Sequence, residues 1–139
     1  MTGKLEDLMK KNGPIKKIGV IGMGYVGIPA AVLFAHADAF SHVIGFQRNS
    51  PSSGYKIDMI NRGELPLKGE EPGLEEMLAD VVKKGKFSCS SDFSRISECD
   101  AVTLAIQTPF ADPKDLIPDF SALEEGIRLV GRYLTPGTL

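Results

Sequence analysis

Tryptophan is absent from the 139 residues, and histidine and cysteine occur only twice each. Cys89 and Cys99 stand ten apart, with no CxxC and no Cys/His spacing suited to a ligand set, so no metal site is expected. Nothing near either thiol in sequence supplies a base or a cationic pocket. Both are therefore expected to be reduced, structural thiols of a cytoplasmic protein. A basic excess is also missing. Lys+Arg 16 against Asp+Glu 18 leaves a net charge of -2, which argues against general binding to nucleic acid or anionic membranes. No apolar run approaches the roughly 18 residues of a spanning helix. The opening residues, MTGKLEDLMKK, are charged and contain no apolar stretch, so no secretory signal is expected.

What remains is ordinary for a globular domain: 42% apolar and 24% charged residues, in a length suited to one domain with its own core. Residues 1–15 read as an N-terminal extension, in which Leu5, Leu8 and Met9 suggest a short helix. Strand-like and helix-like segments then alternate. Residues 16–21 form a β-rich run ending at Gly22. A helix is expected over 25–37, with Val26, Ala30, Leu33, Phe34 and Ala37 recurring at helical spacing. Residues 42–46 (HVIGF) are a second strand, and 54–61 a short helix closed by Gly63.

The helix that follows is the most strongly signposted. Pro72 suits its first turn, and Glu75 and Glu76 face its positive end. Leu74, Met77, Leu78, Val81 and Val82 make one stripe, and Gly85 stops it. Glu70 and Glu71 are read as charges at this helix start rather than as a paired-carboxylate site. Residues 87–90 are a short third strand, and 93–99 a helical turn or two. The apolar run 101–106 reads as a strand covered on both faces. A proline-punctuated loop spans 107–118. The last helix begins near Asp119 or Ser121, where Ser121 and Glu124 match a capping box, with Phe120, Leu123, Ile127, Val130 and Leu134 on its inner side. His36 and His42 read as surface or turn residues.

This alternation implies right-handed βαβ crossovers and a parallel sheet. The expected fold is α/β, a Rossmann-like doubly wound sheet over residues 16–139. Thr135-Pro136-Gly137-Thr138 resembles a turn into a further strand, so the sheet is expected to be incomplete at the C-terminus.

Gly22-Met23-Gly24-Tyr25-Val26-Gly27 is GxGxxG, placed directly after a strand and opening a helix, the context in which the pattern carries information. Gly22 permits a tight turn, Gly24 lets the backbone approach a pyrophosphate, and Gly27 lets helix pack closely on strand. The residue that reads the adenosine ribose belongs at the end of the second strand. Gln47 stands there, followed by Arg48, with no carboxylate. Gln47 can hydrogen-bond a hydroxyl, whereas Arg48 can fork onto a 2′-phosphate. On the residues alone, NAD and NADP remain open.

GVIGMGYVGIP resembles the opening fingerprint of the UDP-glucose/GDP-mannose dehydrogenase family. Asn61-Arg62-Gly63-Glu64, Glu71-Pro72-Gly73-Leu74, Gln107-Thr108-Pro109 and Pro118-Asp119-Phe120 are similar to its later motifs, in order. The segments FQRNS and LKGEEPGL look most like the branch oxidising UDP-N-acetyl-hexosamines, of the UDP-N-acetylmannosamine type.

The resemblance implies oxidation of a nucleotide sugar's C6 alcohol to a carboxylate with two NAD⁺. It also implies a cysteine nucleophile located in later segments, matched by neither Cys89 nor Cys99. This chain is thus expected to hold the cofactor site and no catalytic residue, and to belong to a homo-oligomer when whole. By position, Gly22, Met23, Gly24, Tyr25, Val26, Gly27, Gln47, Arg48 and Thr108 would contact the cofactor. The alternatives are an NADP-dependent β-hydroxyacid or 6-phosphogluconate-type dehydrogenase domain, and a non-enzymatic nucleotide-binding module.

Overall fold

The computed structural model describes residues 13–69 and 71–139. The expected helix around Leu5, Leu8 and Met9, and Glu70, lie outside the described residues.

Four parallel strands make the central sheet: β1 (Lys17–Ile21), β2 (His42–Phe46), β3 (Phe87–Ser90) and β4 (Ala101–Leu104), in spatial order β3-β2-β1-β4. Ile18 pairs with Val43 on one side and with Ala101 on the other, so β1 lies in the middle. Helices α1 (Gly27–His36), α2 (Tyr55–Asn61), α3 (Leu74–Lys83) and α4 (Ser121–Tyr133), with a 3₁₀ helix at Phe93–Glu98, make the connections. This is the doubly wound α/β arrangement expected from the sequence.

Alternation along the strands divides the core in two. Ile18, Val20 and Val43 join Ile28, Ala31 and Val32 of α1 and Leu78 and Val81 of α3 on one face. Ile21, Ile44, Phe46, Ile96 and Cys99 form the smaller core on the other.

Several details differ from the expectations. The buried face of α1 is Gly27, Ile28, Ala31, Val32 and Ala35, while Val26 is 71% and Leu33 58% exposed. Nearly every position of this helix is apolar, so hydrophobic spacing alone does not select a face. Close contact does: a Cβ at Gly27 would collide with the carbonyl oxygen of Gly22, which fixes how the helix sits. In α3 the stripe is as read, but Gly73 at φ 81 precedes the first turn, so Pro72 lies outside it.

Strand β4 is not covered on both faces. It ends at Leu104, which is 43% exposed, because β4 is the last strand of the sheet. Ala105 and Ile106 leave the strand and turn toward the glycine loop. Leu139 donates to Asp100 O at 3.0 Å and accepts from Val102 N at 2.8 Å, a parallel-strand pattern beside Ala101. The loop over 107–118 contains a small hairpin, β5 (Phe110–Asp112) with β6 (Ile117–Pro118), whose short pairings are masked in sequence by Pro109, Pro113 and Pro118.

At α4 no capping box forms. Ser121 is the first helical residue, and its N–H donates to Asp119 Oδ1 at 2.9 Å. The inner face is also rotated. Gly126 is buried, whereas Phe120, Ile127 and Leu134 are exposed. A Cβ at Gly126 would fall on Ile106 Cδ1, so this glycine is where the helix comes closest to the chain leaving β4.

Candidate functional site

Strand order reverses at β1: the chain moves from β1 to β2 on one side, and returns to β4 on the other. The helices that follow β1 and β4 therefore pack on opposite faces of the sheet, leaving a crevice at the carboxyl ends of the strands, where open α/β sheets take their ligands. A groove of about 340 Å³ lies there, lined among others by Gly22, Met23, Gly24, Tyr25, Gln47, Arg48, Ala105, Ile106 and Gln107.

The three glycines differ in surroundings. Gly22 has φ 97, a left-handed conformation that favours glycine, and a Cβ on it would lie 2.6 Å from Ala105 O. Gly27 is closed off by Gly22 O. At Gly24 the nearest atom to an added Cβ is Gln107 Nε2, at 4.0 Å. The outer two glycines thus shape the turn, and the middle one leaves open space above the backbone. The first hydrogen bonds into α1 are Ile28 N to Gly24 O and Ala30 N to Val26 O. The N–H groups before them lack intrahelical partners, as at any helix start, and favour an anion.

Side chains fix this turn from below. Met23 is buried and packs over Gly45 of β2, where a Cβ would come within 2.6 Å of its sulfur. Gln47 Oε1 accepts the Met23 N–H at 3.1 Å, and Gln47 Nε2 donates to Ser53 Oγ at 3.0 Å. Lys56, from α2, donates its ammonium to Met23 O at 3.1 Å and lines the groove. Tyr25 is exposed, and its hydroxyl donates to Lys68 O at 3.0 Å. Across the groove, Arg48 Nη1 donates to Glu125 Oε2 of α4 at 2.7 Å.

The structure thus brings Gly22, Met23, Gly24, Tyr25, Gln47 and Arg48 to one groove. Gly27 sits behind the turn, and Val26 faces solvent beside it. Thr108 is exposed and does not line the groove; its neighbours Gln107 and Pro109 do. Sequence reasoning missed Lys56, Ser53 and Glu125. Lys56 and Glu125 stand on helical segments that read as ordinary charged surface, and only the fold brings them to the turn.

The cysteines are free and buried. Burial pushes the Cys89 thiol up to about 12 and the Cys99 thiol, with Glu98 and Asp100 adding to the effect, up to about 11. Neither is an accessible nucleophile. His42 Nδ1 donates to Gly85 O, and its Nε2 pairs with Ser88 Oγ, a turn-fixing role. No cluster suited to a metal ion occurs among the described residues. Among them, no helix is long and apolar enough to cross a membrane.

A glycine turn between the central strand and its helix, open at its middle residue and set at the reversal of a parallel sheet, defines a Rossmann-type dinucleotide-binding domain. The chain belongs to the UDP-glucose/GDP-mannose dehydrogenase family, whose NAD binding domain matches residues 16–139. That membership decides against the β-hydroxyacid dehydrogenase alternative.

The chain is 34% identical over 122 residues to UDP-N-acetyl-D-mannosamine dehydrogenase of Escherichia coli K12, covering 88% of this chain and 26% of that protein. Among solved structures, NDP-N-acetyl-D-galactosaminuronic acid dehydrogenase from Methanosarcina mazei Go1 is 76% identical with a TM-score of 0.93, over 98% of this chain and 29% of that one. GDP-mannose dehydrogenase from Pseudomonas aeruginosa, solved as a ternary complex, is 30% identical with a TM-score of 0.72, over 86% of this chain and 25% of that one. The chain thus spans about a quarter of the length of the curated relatives it matches.

Proposed function

We propose that this chain is the cofactor-holding part of a nucleotide-sugar 6-dehydrogenase that oxidises the C6 alcohol of a UDP-N-acetyl-hexosamine to a carboxylate with two NAD⁺. The observation that carries the reading is the contrast between Gly24, open above its backbone, and Gly22 and Gly27, which are closed by their neighbours. That contrast fits a diphosphate resting on the turn. The names of the E. coli and M. mazei relatives support an N-acetylated sugar as substrate.

In this reading the backbone N–H groups of Gly24, Tyr25 and Val26 face the pyrophosphate, the Met23 N–H being held by Gln47 Oε1, and Gly27 keeps the helix start in place. Lys56 adds a positive charge beside the turn. Gln47 and Arg48 stand at the ribose end, and Gln107 takes the place first given to Thr108. NAD, when bound, accepts hydride from the carbon being oxidised. The chain's own residues bind and orient it; both of its thiols are buried and neither offers a nucleophile for the sugar. The whole protein then works in the cytoplasm as a homo-oligomer, with the sugar held by residues outside this segment.

Fluorescence titration with NADH tests the reading. Saturable binding by this chain, with no turnover of UDP-sugar by the chain alone, is the expected outcome. Absence of binding at millimolar NADH refutes it.

A further inference from the structure

We infer that Glu125, on α4, is the residue that makes this groove prefer a cofactor with a free 2′-hydroxyl over one carrying a 2′-phosphate. The inference rests on the proposed cofactor site and adds a specificity-determining residue to it.

The usual reader of the ribose is a carboxylate at the end of the second strand. In this chain that position holds Gln47, and both ends of its amide are already engaged, with Met23 N and with Ser53 Oγ. The next residue, Arg48, is a cation at the groove wall. Left alone, it would attract a 2′-phosphate through a charge-assisted fork. It is not left alone. Glu125 reaches across from α4 and holds Arg48 Nη1 at 2.7 Å, and both residues line the groove.

The approach of α4 explains how. Gly126, next to Glu125, lacks the side chain that would strike Ile106 Cδ1, so the helix lies close against the chain leaving β4. Glu125 is thereby brought over the groove mouth.

The pair has little to do with folding. Its side chains are 57% and 54% exposed, and such surface pairs contribute little to stability. Its consequence lies at the ligand. Glu125 Oε2 neutralises the guanidinium, while Oε1 is available to accept a hydrogen bond from a ribose hydroxyl. A 2′-phosphate would have to displace Glu125 from Arg48 and then lie beside a carboxylate of like charge. The discriminating carboxylate thus comes from the helix after β4 rather than from β2.

Calorimetric titration of the full chain with NAD⁺ and NADP⁺ separately tests this in the parent, Glu125→Gln, Arg48→Ala and the double variant. The parent is expected to prefer NAD⁺. Glu125→Gln is expected to raise the affinity for NADP⁺ relative to NAD⁺ by roughly tenfold, because Arg48 is released to fork onto the 2′-phosphate. Adding Arg48→Ala is expected to abolish that gain. An unchanged ratio in Glu125→Gln, a gain that survives Arg48→Ala, or a parent that prefers NADP⁺ would each overturn the inference while leaving the cofactor site intact. Binding of neither dinucleotide to any variant would overturn the cofactor site and the inference with it. A thermal midpoint unchanged in Glu125→Gln verifies that the comparison is between folded chains.

Discussion

Gln47 Oε1 accepts the Met23 N–H at 3.1 Å, tying the end of β2 to the glycine turn after β1. The amide at Met23 belongs to a residue that is itself buried. Gln47→Ala leaves that donor without its partner, at about 1–3 kcal/mol. We expect a lower denaturation midpoint in urea together with weaker NADH binding, since the turn is no longer held. Equal stability of variant and parent would show that water replaces the amide without loss.

Asn61 and Cys89 exchange two hydrogen bonds: Asn61 Nδ2 donates to Cys89 O at 2.9 Å, and Cys89 N donates to Asn61 Oδ1 at 2.8 Å. Strand β3 is an edge of the sheet, so this side chain occupies backbone groups that another strand would otherwise use. Asn61→Ala is expected to destabilise the fold by about 2 kcal/mol, the loss of two partners at once. Hydrogen exchange at the Cys89 amide should quicken in the variant beyond what the global loss requires.

Gly27→Ala brings a Cβ onto the backbone carbonyl oxygen of Gly22, which cannot yield without moving the turn. A loss of about 2–3 kcal/mol is expected, at the upper end for an overpacked site. Thermal unfolding measures it. An unshifted midpoint would mean that α1 slides outward at no cost.

The two thiols govern alkaline behaviour. Folding raises Cys89 to about 12 and Cys99 to about 11, against an ordinary value of 9.0. Between the unfolded and folded values, the unfolded chain has lost protons that the folded chain keeps, so stability falls as pH rises. The thiols are expected to leave stability flat below about pH 8 and to erode it from about pH 9 upward. Replacing both by alanine should flatten the alkaline limb. At pH 8 a disulfide reagent such as DTNB should label neither thiol until the chain is unfolded.

The legibility of the sequence follows from how local each signal is. β2, β3 and α3 were readable because their limits are set by nearby residues: Gly85 ends α3, and Phe87 starts β3 directly after it. The facing of α1 was not, because its almost wholly apolar sequence has no preferred side until Gly27 meets Gly22. The start of α4 at Ser121 was legible, but the capping box was not borne out, because Asp119 Oδ1 rather than the Ser121 side chain takes the first amide. The glycine turn was visible as a pattern. Lys56 and Glu125 were not, since their contacts with Met23 and Arg48 span 33 and 77 residues of chain.

The proposed cofactor site requires the open backbone at Gly24 to receive a diphosphate. Unlike Gly22 and Gly27, Gly24 has room for a methyl group, and unlike Gly22 it does not hold a left-handed conformation. Titration of NADH into the parent and Gly24→Ala, with thermal unfolding of both, measures this directly. Unfolding is expected to be unchanged and binding to weaken by at least roughly tenfold, because the added carbon occupies the place of close approach. Equal NADH affinity in the two chains would contradict it.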